Sequence, residues 1–199
     1  MRWKGERPAD SPALARGAIP FHMMSGTEMR ITMTDRAVVS SPRPRPFVNA
    51  AIAAVTVFGA AAMGNAVTIP AIPTWYAGLA KPWFNPPNWA FGPAWTILFL
   101  LMAIAFWRIL ERSTSRPAWR LALAIFIGQL VLNVLWSVTF FGLRDPASAL
   151  VVVIALELAI VATIAAFRPI DRVAAWLLLP YAAWVGFATL LNIAIVWLN

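Results

Sequence analysis

Residues 121 to 143 read LALAIFIGQLVLNVLWSVTFFGL, 23 positions without an Asp, Glu, Lys or Arg. About 20 such residues suffice for a helix to cross the hydrocarbon core of a bilayer, so the stretch reads as a membrane span. Working outward, the same kind of gap recurs. No charged side chain stands between Arg45 and Lys81, between Lys81 and Arg108, or beyond Arg172, and residues 146 to 167 are uncharged except for Glu157. These gaps place five spans, at about 47–69, 91–110, 118–141, 147–167 and 173–197. The loops between them are short, which forces neighbouring spans antiparallel in one bundle. The expected fold is all-α: a five-transmembrane-helix bundle over residues 47–199, with a long ordered loop between helices 1 and 2.

Composition agrees. Of 199 residues, 61% are apolar and 12% charged, with a mean hydropathy of +0.73; a soluble domain has about 25% charged residues. The chain has no cysteine and one histidine, His22, which excludes disulfide frameworks, thiolate metal sites and multi-histidine sites. No metal site is expected. The net charge of +8 reports topology here and calls for no nucleic acid partner. With the N-terminus inside, the inner flanks carry Arg36, Arg43, Arg45, Arg108, Arg112, Arg116, Arg120, Arg168 and Arg172, and the outer flanks only Lys81 and Arg144. That bias predicts a multi-pass protein with N-terminus in and C-terminus out.

Residues 1–46 stand apart as a basic, proline-rich tail ending in Ser-Ser-Pro-Arg-Pro-Arg-Pro, expected to be disordered. It has no apolar core of signal-peptide type. Met23, Met24, Met29 and Met33 each offer an alternative start.

The segment from Pro70 to Trp107 reads PAIPTWYAGLAKPWFNPPNWAFGPAWTILFLLMAIAFW. Its first half is a loop of about 20 residues, a length that usually marks either work or disorder. Trp75, Tyr76, Trp83, Phe84 and Trp89 are too apolar for a solvated coil, and Pro82, Pro86 and Pro87 lower the entropy cost of ordering. A lid across the bundle mouth is expected.

Helical spacing puts Trp95, Phe99, Met102 and Phe106 on one stripe, Gln129, Asn133 and Trp136 on a second, and Tyr181, Trp184, Ala188 and Asn192 on a third. Amides inside a span must face protein or a cavity, because lipid offers them no partner. The second and third stripes therefore point inward, Gln129 and Asn133 serving either as helix-to-helix glue or as pocket groups. Such a concave site, lined by ring faces and a few amides, suits a flat, conjugated, apolar ligand. Pro180 should loosen one hydrogen bond in the fifth span and kink it. Trp107, Trp119, Trp176 and Trp197, near span ends, read as an interfacial belt. The small-residue run from Gly59 to Gly64 reads as a packing or dimer face, and a homodimer in the lipid bilayer is the expected assembly. Glu157 is the outlier, a mid-span carboxyl with no cation within a turn or two, and such groups are functional by default.

Three motifs together carry a resemblance. Trp75-Tyr76-Ala77-Gly78-Leu79-x-Lys81-Pro82 is followed by Asn85-Pro86-Pro87-x-Trp89 and Phe91-Gly92-Pro93-x-Trp95. Span three has Gly128-Gln129-Leu130-x-Leu132-Asn133-x-x-Trp136 with Phe140-Phe141-Gly142, and span five has Pro180-Tyr181-x-x-Trp184-x-x-Phe187-Ala188 with Leu191-Asn192. In order and spacing, over residues 47 to 199, the chain resembles the TspO/MBR family of tryptophan-rich sensory proteins and translocator proteins, also called peripheral-type benzodiazepine receptors. The resemblance implies a five-helix bundle that binds tetrapyrroles such as protoporphyrin IX in a pocket at one end, with roles in tetrapyrrole transport, sensing or light-dependent breakdown. It implies pocket positions at Trp95, Trp184, Ala188 and Leu191. The cholesterol consensus of animal members is not matched: Ile193 stands where it has Tyr, and no basic residue follows.

The site expected from residues and resemblance together is Trp75, Tyr76, Trp89, Trp95, Phe99, Asn133, Trp136, Tyr181, Trp184, Ala188 and Leu191. Its ligand is a tetrapyrrole held by stacking, with no obligatory cofactor. The alternative is an enzyme for photooxidative porphyrin degradation with Trp95 and Trp184 as redox neighbours. The spans hold no Lys, His, Asp or Cys for acid–base or nucleophilic chemistry. A sterol or lipid translocator is a further alternative, while a multidrug or ion transporter, for which only Glu157 speaks, is weighed against by the five-span count and the lack of an evident internal repeat.

Overall fold

The computed structural model describes residues 45–113 and 116–199. The expectations for the tail, including His22 and the alternative starts, lie outside the described residues apart from Arg45 and Pro46. All regular structure among the described residues is helical. The elements are α1 (Pro46–Ala71), α2 (Asn88–Glu111), α3 (Pro117–Ser137), α4 (Pro146–Phe167), α5 (Arg172–Leu177) and α6 (Leu179–Leu198). A short 3-10 turn, Tyr76–Gly78, lies in the first loop, and a π-helical turn, Val138–Gly142, extends α3.

Five stretches are long and apolar enough to cross a membrane, the fifth being α5 and α6 together. The shortest, α4, has 22 residues, about 33 Å at 1.5 Å per residue, against a hydrocarbon core of about 30 Å. Each helix is apolar nearly all round, as a helix with lipid on one face and protein on the other must be. Helix starts follow local rules. Pro46, Pro117 and Pro146 open α1, α3 and α4, where a missing N–H costs nothing. Asp145 and Asp171 cap α4 and α5 by accepting the N–H of Ser148 and Ala174, both at 3.0 Å.

Two proline expectations need correction. The first loop spans only 72–87, because α1 runs through Pro70 to Ala71, with the Thr74 hydroxyl donating to the Pro70 carbonyl at 3.0 Å. In the fifth span Pro180 does more than kink a helix. The ring would meet the carbonyl of Trp176 four residues back, and the helix breaks at Leu178, with α6 restarting around the proline.

Helix α1 packs on α2 and α3, α4 on α3 and α6, and α5 on α2, closing a ring. Without a hydrophobic drive in lipid, close packing and polar contacts hold such a ring. The core stacks Phe106 on Phe126 at 4.4 Å and Phe126 on Phe167 at 5.6 Å between ring centroids. Gly64 lets α1 approach α3: a Cβ there would stand 3.1 Å from the Ser137 hydroxyl, whereas one on Gly59 would meet nothing.

The end away from the first loop is tied by polar bonds. Asn49 donates to Glu111 at 2.7 Å, joining α1 to α2. Arg108 reaches Asp171 at 2.9 Å and Arg112 reaches it at 3.4 Å, joining α2 to α5. Trp119 Nε1 donates to the Ile109 carbonyl at 3.0 Å. Trp119 and Trp107 thus pack against the core and are not simple belt residues, while Trp176 and Trp197 stay 69% and 87% exposed.

Candidate functional site

The opposite end holds a cavity of about 340 Å³ between α1, α2, α3 and α6, under the first loop. That size is at the lower end of small-molecule sites. Its walls are built by helix register. On α2, Trp95 and Phe99 are one turn apart and stack, 5.4 Å between centroids and 29° between planes. On α6, Trp184, Ala188, Leu191 and Asn192 follow the same spacing and all face the cavity. Trp184 is held by edge contact with Phe91 at 6.0 Å. On α3, Asn133, Trp136 and Ser137 form the back wall.

The π-helical turn is the element that the spacing argument missed. Leu143 N–H bonds the Val138 carbonyl at 2.8 Å, five residues back, and the extra residue swings Phe140 and Phe141 together into the wall. Such turns recur at functional sites. Trp136 stacks on Phe140 at 5.5 Å, and Tyr76 and Trp75 close on the same pair of phenylalanines from the loop. The only sequence signal was the Phe140-Phe141-Gly142 run itself.

Amides organise the wall. Asn133 donates to the Tyr181 hydroxyl at 3.0 Å, and Trp136 Nε1 donates to Asn192 at 3.3 Å, which in turn donates to the Pro146 carbonyl at 2.7 Å. Helices α3, α4 and α6 are thereby fixed to one another at the cavity. Gln129, one turn deeper than Asn133, is buried with neither amide atom bonded among the described residues, and Glu157 Oε2 is likewise unpartnered.

The loop is fastened by its own polar groups. Tyr76 donates to Asn85 at 3.0 Å, and the Asn199 side chain makes a reciprocal pair with the backbone of Ala80 at 3.0 and 3.1 Å. Lys81 lies 4.7 Å over the Tyr76 ring and donates to the Ala77 and Leu79 carbonyls. Burial raises the Tyr76 phenol above its usual range, with the Asn85 contact acting the other way.

Of the residues expected at the site, Tyr76, Trp95, Phe99, Asn133, Trp136, Trp184, Ala188 and Leu191 line the cavity. Three do not. Trp75 packs behind the wall on Phe140 and Phe141, Trp89 points away from the bundle at 76% exposure, and Tyr181 is wholly buried beneath Trp95 as a support. The lid is therefore narrower than the aromatic count suggested, since Trp83 is also 95% exposed. The α1 side of the wall, Phe58, Asn65, Thr68 and Ile69, was not anticipated. Asn65, the one amide deep in span one, was the available signal.

The TspO/MBR family model matches residues 51–198. The chain is 45% identical over 153 residues to the tryptophan-rich protein TspO of Archaeoglobus fulgidus, covering 75% of this chain and 95% of that one. It is 42% identical over 125 residues to the tryptophan-rich sensory protein of Cereibacter sphaeroides, covering 63% and 77%. To the human translocator protein it is 40% identical over 121 residues, covering 59% and 70%.

Proposed function

The chain belongs to the TspO/MBR family, and from that premise we propose that this multi-pass membrane protein binds a tetrapyrrole such as protoporphyrin IX, for porphyrin transport or sensing. The observation that carries the reading is the cavity wall: ring faces from Trp95, Phe99, Trp136 and Trp184, with Asn133, Asn192 and Tyr76 as the polar groups among them. A flat conjugated ligand gains dispersion and stacking from such faces, and the few amides fix its orientation. The ligand is held by stacking, without iron ligation.

Titrating the purified protein with protoporphyrin IX while following tryptophan fluorescence tests this directly. Saturable quenching is expected, and Trp184→Ala or Trp95→Ala should each weaken binding by about tenfold, the value of one aromatic contact of about 1.4 kcal/mol. Trp176→Phe, on the exposed face of α5, should leave affinity unchanged. Equal affinity in all four proteins would show that the cavity is not the site.

A further inference from the structure

Given that reading of the cavity, we propose that its ligand enters sideways from the bilayer, through a window between the loop-side halves of α1 and α2, and so is a lipid-dissolved amphiphile. The other boundaries are closed by named contacts. Between α2 and α6, Phe91 meets Trp184 at 6.0 Å and Phe84 of the loop meets Phe187 at 6.3 Å. Between α1 and α3, Gly64 abuts Ser137, and Val67 lies in contact range of Gly142. Above, the loop is folded on itself by the Tyr76–Asn85 bond and tied to the bundle by the reciprocal Ala80–Asn199 pair and by the Tyr76–Phe141 ring contact.

The seam between α1 and α2 differs along its length. In the half away from the loop, Ala53, Val57, Phe106 and Ile109 are buried, and Asn49 bonds Glu111. In the loop-side half, the cavity-lining residues Asn65, Ile69, Gly92 and Thr96 are all exposed. The cavity wall is thus closed on α3 and α6 and open along α1 and α2.

Depth decides which phase the window meets. Asn65 lies six residues before the end of α1 and Thr96 eight residues after the start of α2, about 9 and 12 Å along the helix axes. Helix α1 has 26 residues, about 39 Å, so it overreaches a core of about 30 Å by about 4–5 Å at each end. The window opens below the headgroups, onto acyl chains. An exposed amide at that depth is costly in lipid alone, and Asn65 makes none of the side-chain hydrogen bonds among the described residues. A passing molecule with polar substituents on an apolar body would supply its partner. Opening the loop breaks the Ala80–Asn199 pair and the Tyr76–Phe141 and Phe84–Phe187 ring contacts, whereas passing the window breaks none of them.

The cysteine-free sequence makes the test direct. Gly92→Leu adds bulk at the window from a position where a Cβ meets nothing within 4 Å, so the branch starts in open space. In proteoliposomes mixed with vesicles carrying protoporphyrin IX, Gly92→Leu should slow dissociation as well as association by about tenfold, whereas mere crowding of the cavity would weaken binding by speeding dissociation. Asn199→Ala, which cuts the hydrogen-bonded tie of the loop to α6, should change neither rate. Unchanged rates in Gly92→Leu, or faster association in Asn199→Ala alone, would overturn the window in favour of the loop. A second readout needs no porphyrin. Ala188→Cys, inside the cavity, should react faster with a membrane-dissolved pyrene maleimide than with a charged one, and Gly92→Leu should suppress that reaction. If protoporphyrin IX fails to bind wild type while this labelling pattern holds, the ligand assignment falls and the window stands. Labelling indifferent to Gly92→Leu removes the window whatever binds.

Discussion

Gln129 and Asn133 sit one turn apart on α3, both buried, and their fates differ. Asn133 finds the Tyr181 hydroxyl at 3.0 Å, while neither amide atom of Gln129 is bonded among the described residues. An unsatisfied buried amide gives up about 1–3 kcal/mol of desolvation, and replacing it with an apolar side chain of similar shape removes that cost. Gln129→Leu should therefore keep or raise the melting temperature in detergent. Asn133→Leu strips a partner from a buried phenol and should lower stability by about 1 kcal/mol, and it should also weaken porphyrin binding. Both residues carry the same sequence signal, an amide in a span, and nothing in the spacing separates them. The difference arises from α6, which brings a hydroxyl level with Asn133.

Among the elements, α5 depends on a single carboxylate. Asp171 caps the helix through Ala174 N–H and receives Arg108 and Arg112 from α2. Burial pushes its carboxyl up, but the Ala174 hydrogen bond and the two guanidiniums outweigh that and hold it below its usual range. A depressed folded value means stability that is complete above the unfolded value, about 3.9, and is lost as pH falls through the lower folded one. The melting temperature in detergent should include an Asp171 contribution that stays level from pH 7 to about 5 and falls below about 4. Asp171→Ala, by losing the cap, should cost about 1–2 kcal/mol at neutral pH and remove that part of the acid sensitivity. A variant with unaltered acid sensitivity would place the titration elsewhere. The π-helical turn after α3, which lines the cavity with Phe140 and Phe141, and the break at Leu178, which divides the fifth span, are the other notable elements. Pro180 announced the second, since its ring and absent N–H are local facts. The first had no such mark, because a π turn is stabilised by the packing of Phe140 and Phe141 that it creates.

At the scale of the molecule, one end of the bundle is knit by Asn49–Glu111, Arg108–Asp171 and Trp119–Ile109, and the other is hollow. The arginine distribution predicts that the knit end faces inward, with the loop and cavity outside. Single cysteines on this cysteine-free chain check it. In intact cells a cysteine at Ala80 should react with a membrane-impermeant maleimide, and one at Ser113 should react only after permeabilisation. The reverse pattern would invert the bundle and put the cavity on the inner side.

Five spans, their antiparallel order and the inward amide faces followed from sequence alone, because charge-free length and helical period are properties of single segments in lipid. The family motifs were likewise legible one segment at a time. Which aromatics reach the ligand was not: Trp75, Trp89 and Tyr181 share composition and spacing with the wall residues, yet stand behind, outside and beneath it. Only tertiary packing decided that, since a side chain lines a cavity by virtue of what the neighbouring helices leave unfilled. The window is the same kind of fact. Asn65, Gly92 and Thr96 become a route only because α1 and α2 leave them exposed at one end while Phe106 and Ile109 are buried at the other.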